Sequence, residues 1–400
     1  MQLSLNIWNF ALLLGAAQGV FLAAFLAIHK KNRIANRILA VFLIISALII
    51  ASPEIVRKYY AVFPHLVGST FTITFLLGPI IFFYANRLSA GVPDLLEKSR
   101  GHSKSSNIQV RPRFMAFLHF LPFLAGTTYL LPFYMQDGKY KIEFFQKAGA
   151  EGLPLDFMII WGAQCLHVIF YFCVIHQSIK KHVTIVKSSF SHIEKINLTW
   201  LRRLSSANAG IWLLYLVSFL LYVFRIEIDP FGVLDYVFGY AMSVLVYGIG
   251  YMGLKQPEIF SGIHAEPPAM SNSKKYERSG LMPEMADEYA RKLLHCMETD
   301  QPFKNAELTL PELAAILSIP PNHLSQVIND KFGRNFFDFI NSYRVKAAER
   351  ALLDPSQRHL TILAIAYEAG FNSKSAFNAA FKKYTDMTPS QFKKLSNPAR

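Results

Sequence analysis

Residues 361–394, TILAIAYEAGFNSKSAFNAAFKKYTDMTPSQFKK, decide how the rest of the chain is read. Ile362, Ile365, Ala366 and Ala369 recur at i, i+3, i+4 and i+7, the spacing of one apolar helix face. Gly370 follows, where a glycine stops a helix and lets the backbone take positive φ in a tight turn. Asn372 or Ser373 can cap a second helix by accepting from its free N–H groups. Phe377, Ala380, Phe381 and Tyr384 give that helix a face to bury, and Lys374, Ser375, Asn378 and Lys382 leave it a small, polar and basic one. Thr388, Pro389 and Gln391 read as the capping box and first-turn proline of a third helix. Helix, glycine turn, helix with a polar face is a layout that fits a DNA major groove.

About fifty residues upstream the same layout is spelled with other residues. Thr309 and Glu312 form a capping box for a helix that buries Leu310, Leu313, Ala314 and Leu317. Ser318-Ile319-Pro320-Pro321 makes the turn, and the next helix buries Leu324, Val327 and Ile328 before Gly333 ends it. Asn322, Ser325, Gln326 and Asn329 lie opposite that face, and side-chain amides can bond adenine bidentately. Residues 336–353 predict a long helix with Phe336, Phe339, Ile340, Tyr343, Ala347 and Ala351 inward. It would join two helix-turn-helix units at about 308–332 and 361–384. Candidate base readers are Asn322, Ser325, Gln326, Asn329, Lys374, Ser375 and Asn378. Candidate phosphate contacts are Lys331, Arg334, Lys382, Lys383, Lys393 and Lys394. Their electrostatic background is uneven: residues 331–400 hold 12 Lys and Arg against 5 Asp and Glu, residues 281–330 hold 3 against 8.

The segment 361–394 resembles the second helix-turn-helix of AraC-type transcription regulators, whose pattern runs I-A…G-F-x-S-x-S-x-F-x-R-x-F-K…G-x-T-P-x-x-Y. Ile365-Ala366, Gly370-Phe371, Ser373, Ser375, Phe377, Phe381-Lys382 and Thr388-Pro389 match it. Ala379 stands where arginine is usual, Asp386 where glycine is usual and Phe392 where tyrosine is usual. The first departure removes a DNA contact that the family's arginine implies. The resemblance implies two reading heads on one rigid strut, meeting successive major grooves about one helical turn apart. It also implies a transcription regulator, with double-stranded DNA and RNA polymerase as partners.

The rest of the chain is of another kind. Of its 400 residues, 52% are hydrophobic and 17% charged, values unusual for a soluble protein. The apolar residues fall in seven blocks long enough to span a bilayer, near 7–29, 38–56, 64–85, 114–135, 155–178, 209–224 and 233–254. Residues 1–6 carry no positive charge, so the first block is not expected to be a cleaved signal peptide. The loops after blocks one, three and five hold 16 Lys and Arg, those after two, four and six hold 6. The positive-inside rule then puts the N-terminus outside and the C-terminus in the cytoplasm. The net charge of +14 fits both cytoplasmic membrane loops and nucleic-acid binding. Three cysteines give no disulfide framework.

The expected architecture is all-α: a seven-span membrane sensor domain (1–254), a Pro- and Ser-containing cytoplasmic linker (255–280) and an AraC-like domain (281–400) with two helix-turn-helix units. Residues 283–298 predict an amphipathic helix through Met285, Tyr289, Leu293 and Cys296 or Met297, to pack on that domain or to pair two protomers. Cys165, His167, Cys173 and His176 share the fifth block, but helix phase keeps them from one cluster, and no metal or other cofactor is expected. His119, Asp156, Gln164 and Asp235 are polar groups within or near spans, placed to line a ligand cavity or to bond neighbouring helices. No nucleophile–base pair or phosphate loop stands out, so no enzyme is expected. The function read from these features is a one-component regulator of the bacterial cytoplasmic membrane, multi-pass, with the bilayer, DNA, an unidentified signal ligand and a second copy of the chain as partners. The rivals are a membrane transporter or membrane enzyme with an autoregulatory tail, and a protein-binding tail.

Overall fold

The computed structural model describes residues 7–29, 33–98, 113–194, 198–224, 233–255 and 281–395. Among them the regular elements are helices, with one isolated β-bridge between Phe190 and Thr309. All but the first residue of the expected linker lies outside the described residues. The chain divides into two compact units: Met1–Ser89, Ser105–Ile179 and Leu198–Ile263 in one, and Ala90–Lys104, Lys180–Asn197 and His264–Arg400 in the other.

The first unit is built on long apolar helices, of which α3 and α8 end beyond its limits: α1 (Ile7–Ile28), α2 (Arg33–Tyr59), α3 (Leu77–Lys98), α8 (Leu155–Lys187), α9 (Thr199–Val223) and α10 (Val233–Lys255). Among the described residues, five stretches are long and apolar enough to cross a membrane: Asn9–Ile28, Arg33–Tyr59, Thr72–Ser89, Leu155–Lys187 and Thr199–Val223. A shorter apolar stretch, Tyr236–Ile249, lies in α10. The helix α1 packs on α2 and α10, and α10 on α9. Small residues permit the close approach: a Cβ on Gly15 of α1 would meet the Ser243 side chain of α10.

Two of the seven expected blocks take other shapes. Block 114–135 is not one helix but three, α4 (Arg113–Leu118), α5 (Leu121–Tyr129) and α6 (Leu131–Tyr134). Pro122 and Pro132 cause the breaks, since a proline lacks the N–H that continues a helix and fits the first turn of a new one. The third block opens with short 3₁₀ turns at Pro64–Leu66 and Thr72–Leu76 around Gly68, whose φ is 75°. One helix was not foreseen: α7 (Gly138–Glu151), capped by the Asp137 side chain accepting from the Tyr140 amide at 2.8 Å.

The second unit holds seven helices among its described residues after 281: α11 (Pro283–Thr299), α12 (Leu310–Leu317), α13 (Pro321–Phe332), α14 (Phe336–Leu353), α15 (Ile362–Glu368), α16 (Lys374–Thr385) and α17 (Pro389–Leu395). They make two cores that share α14. Its first half gives Phe336, Phe339 and Ile340 to a core with Leu293, Met297, Leu313 and Leu324. Its second half gives Val345, Ala348 and Leu352 to a core with Ile365, Ala366, Phe377 and Phe381. The helix α11 therefore packs on the first core, the first of its two expected uses. Burying such residues contributes about 1.5–3 kcal/mol for each large apolar side chain, so each core holds its helix pair firmly.

Candidate nucleic-acid interface

Each helix pair is set by its caps. Thr309 and Glu312 bond each other's backbone N–H, the expected capping box, and start α12. Ser318 takes φ 54° in the turn before α13, and Gly333 takes 62° after it. In the second pair Thr361 caps α15, and Ser373, one of the two expected residues, caps α16 by accepting from Ala376 at 3.0 Å. Thr388 and Gln391 make a second capping box, at the start of α17. Gly370 has φ 94°, and a Cβ there would stand 2.4 Å from the Phe303 carbonyl oxygen. That glycine serves the turn and lets it close on the first half of the unit. Asp386, where the family has glycine, has φ 58°, so the left-handed backbone survives the departure.

The base-reading candidates are not equivalent. On α13, Asn322 is exposed and Gln326 half-buried, while Asn329 is half-buried and donates to the Ser325 carbonyl at 2.8 Å. Ser325 is 7% exposed, so it lies inside the helix packing rather than on the expected polar stripe. The stripe drawn at i, i+3, i+4 and i+7 is wide, and its edge at Ser325 turns toward Leu324 and Ile328. On α16, Lys374 and Ser375 are exposed and Asn378 is half-buried.

The phosphate candidates divide by what already holds them. Lys331 pairs with Asp287, Lys383 with Asp338 at 2.6 Å, and Lys393 donates to the Leu360 carbonyl at 3.3 Å. Arg334 lies over the Tyr384 ring, 5.7 Å from its centroid. Lys382 and Lys394 are exposed and, among the described residues, make no ion pair. An anion could meet these two ammonium groups without breaking an ion pair.

Three residues that matter here escaped the sequence reading. Arg344, 2% exposed, sits on α14 between the two cores. It donates to the carbonyls of Phe303 (2.8 Å), Asn305 (2.8 Å) and Ala306 (3.3 Å), and to both the carbonyl (3.1 Å) and the hydroxyl (2.9 Å) of Ser191. Burial pulls its guanidinium down to about 10. A signal existed: Arg344 lies four residues after Ile340, on the inward phase. Ser191 and Glu194 belong to a segment after α8 that crosses this unit. Ser191 N–H donates to the Leu308 carbonyl at 3.3 Å and Leu310 N–H to the Ser189 carbonyl at 3.0 Å. Val186, Phe190 and Ile193 are buried there beside Phe337. Glu194 accepts from Ser373 Oγ and Ser375 Oγ, both at 2.6 Å. No periodicity in 188–194 announces these contacts.

In the first unit, Gln164 lines a cavity of about 190 Å³ with Glu54, Arg57, Trp161, Trp212 and Tyr215, and donates to the Phe71 carbonyl at 2.6 Å. His119 bonds the Tyr171 hydroxyl instead. The Asp235 side chain lies outside the described residues. Cys165 is buried and Cys173 exposed, because eight residues overshoot two helical turns by about 80°. Among the described residues no group of three His, Cys, Asp or Glu could hold a metal ion.

Residues 313–395, from within α12 to the end of α17, match a helix-turn-helix domain family. Over 87 residues the chain is 34% identical to an uncharacterized HTH-type transcriptional regulator of Staphylococcus aureus (strain COL), covering 22% of this chain and 11% of that protein. Over 132 residues it is 29% identical to the HTH-type transcriptional regulator GlxA of Rhizobium meliloti (strain 1021), covering 33% of this chain and 38% of that protein. A solved structure of a protein of unknown function from Listeria innocua aligns over 26% of this chain and 94% of its own, with 28% identity and a TM-score of 0.23. The match thus spans about a tenth of the staphylococcal relative. This chain carries a C-terminal helix-turn-helix domain related to those of transcriptional regulators, together with several helices long and apolar enough to cross a membrane.

Proposed function

We propose that the chain is a membrane-bound, one-component transcription regulator. The observation that carries this reading is one chain in which apolar helices of spanning length precede a helix-turn-helix domain. In this reading the two helix pairs are two helix-turn-helix units of AraC type on the shared strut α14. Asn322 and Gln326 of α13, and Lys374, Ser375 and Asn378 of α16, read base edges, while Lys382 and Lys394 lead the phosphate contacts. The seven apolar blocks form a sensor with the N-terminus outside and the C-terminus in the cytoplasm of a bacterium, where DNA and RNA polymerase are. A signal ligand acts by binding two states of the sensor with different affinity, and a second copy of the chain pairs the reading heads.

The test is selection of sites from random DNA by the full chain in nanodiscs, at controlled salt. Enrichment of two elements about one helical turn apart supports the reading. Binding with a salt dependence but no enriched motif refutes sequence-specific reading. Topology is tested with a membrane-impermeant thiol reagent on intact cells: Lys147→Cys on α7 is expected to react, and Arg358→Cys to stay protected until lysis.

A further inference from the structure

We infer that residues 188–194 form a strap that holds the second helix pair off DNA, with the Glu194 carboxylate occupying the place at the start of α16 that nucleic acid takes. The inference rests on the reading of α16 as a DNA-reading helix. Its first observation is the latch. Both oxygens of Glu194 are used, one on Ser373 Oγ and one on Ser375 Oγ. These hydroxyls stand at the N-terminus of a 12-residue helix, where free N–H groups and the helix dipole favour negative charge. Ser375 is a base-reading candidate and Lys374 lies beside it. A hydroxyl that gives its proton to a carboxylate has none to give to a base, and a carboxylate there repels the DNA backbone.

The second observation is the anchor, which is independent of the latch. Arg344 is a buried cation, and two of its acceptors belong to Ser191. Ser191 also gives its hydroxyl to the Leu308 carbonyl at 2.6 Å. A buried charge keeps its partners, because losing them leaves it uncompensated. The strap's place on this unit is therefore built into the core. Three residues later, at Glu194, the contacts are exposed and exchange with water. Anchor and latch differ in the way a reversible cover requires: the anchor, with Ile193 buried beside it, stays, and the exposed Glu194 lets go.

The third observation is the room beneath. A cavity of about 270 Å³ lies between the strap and α16, lined by Ala376, Ala379 and Ala380 on the helix and by His192 and Glu194 on the strap. Alanine at 379 leaves that room, where the family pattern calls for an arginine that would fill it. The chain has given up a cation on its reading face at the site where its own acidic segment lies. The ion pair of Lys383 with Asp338 borders the same cavity and keeps that lysine from Glu194.

The experiment uses the full chain in nanodiscs and the DNA site it selects. Affinities at one salt concentration are compared for the wild type, Glu194→Ala and the charge-matched control Glu288→Ala on α11. Glu194 is exposed, so its replacement leaves the fold intact. The expected result is binding about tenfold tighter for Glu194→Ala, with Glu288→Ala unchanged. If the wild type selects a site and Glu194→Ala binds it no more tightly than Glu288→Ala, the strap inference falls while the DNA-reading assignment stands. If neither wild type nor Glu194→Ala prefers any sequence, both fall.

Discussion

Gly370→Ala is expected to open the second helix pair, and the structure says by how much. Three terms enter. Alanine at φ 94° lies outside the left-handed basin near 50–70°, and such a residue costs about 1–3 kcal/mol. Its Cβ would stand 2.4 Å from the Phe303 carbonyl oxygen and 2.9 Å from Lys304 Cα. Both are backbone atoms, so relief means moving the Pro302–Lys304 turn, whose Phe303 carbonyl, with that of Asn305 just after the turn, holds Arg344. Overpacking of this kind costs about 1–3 kcal/mol. Against these stands the lower entropy of the unfolded alanine chain, about 0.4–1 kcal/mol in favour of the variant. The net is a loss of about 3 kcal/mol. Gly333→Ala is the internal control. Its φ of 62° lies in the basin and a Cβ there meets nothing within 4 Å, so only the conformational cost remains, about 1 kcal/mol or less. Amide hydrogen exchange on the full chain in nanodiscs reads both, through the α15 and α16 amides for Gly370→Ala and the α13 amides for Gly333→Ala. Equal losses at the two positions would refute the argument that Gly370 is demanded by close approach as well as by φ.

Three further outcomes are expected. Lys382→Ala lowers the slope of log affinity against log salt by about 1, whereas Lys383→Ala changes it less because Asp338 already holds that ammonium; binding titrations across salt concentrations check both. Asp386→Gly stabilises the second helix pair by up to about 1 kcal/mol, since glycine takes φ 58° without the Cβ penalty, and slower exchange of the α16 amides is the readout. Arg344→Lys destabilises both halves of the unit by about 2 kcal/mol or more, because an ammonium has three donors for acceptors on Phe303, Asn305, Ala306 and Ser191; faster exchange in α12 and α16 together is its mark, and loss in one helix pair alone would contradict it.

Local patterns were legible where local forces decide the structure. The capping boxes at Thr309 and Thr388, the turn at Gly370 and the apolar faces of α12, α14 and α16 follow from short spacings, and the structure has them. The membrane blocks were read by composition alone, which cannot see Pro122 and Pro132 starting new helices inside one apolar run. Ser325 shows the limit of a stripe argument: four positions at helical spacing cover a wide arc, and its edge is buried. What was not legible is long-range. Arg344 and Ser191 are 153 residues apart, and Glu194 and Ser375 are 181 apart. Nothing in either neighbourhood names its partner, because the pairing is decided by tertiary packing.

The strap's position in the chain bears on how such a cover could work. Residues 188–198 join the ends of α8 and α9, two helices long and apolar enough to span a membrane. A strap fastened between two spans can move only as far as about 40 Å of extended chain allows. The helix-turn-helix domain is joined to the end of α10 by residues 256–282, which can reach about 90 Å when extended. The anchor at Ser191 ties strap and domain together within these limits, so lifting the latch frees the reading face of α16 and not the domain as a whole. The same tether explains why an exposed carboxylate on two hydroxyls suffices. Its free energy is small in water, but strap and α16 meet within one chain at an effective concentration in the millimolar range. A weak latch under that condition is closed at rest and still yields to a ligand or a DNA site that gains more from the open state. A stronger latch, such as a buried ion pair, would need a larger input to release. The exposure of Glu194 and the burial of Ser191 against Arg344 are in this sense one arrangement, with the fixed end and the yielding end separated by three residues.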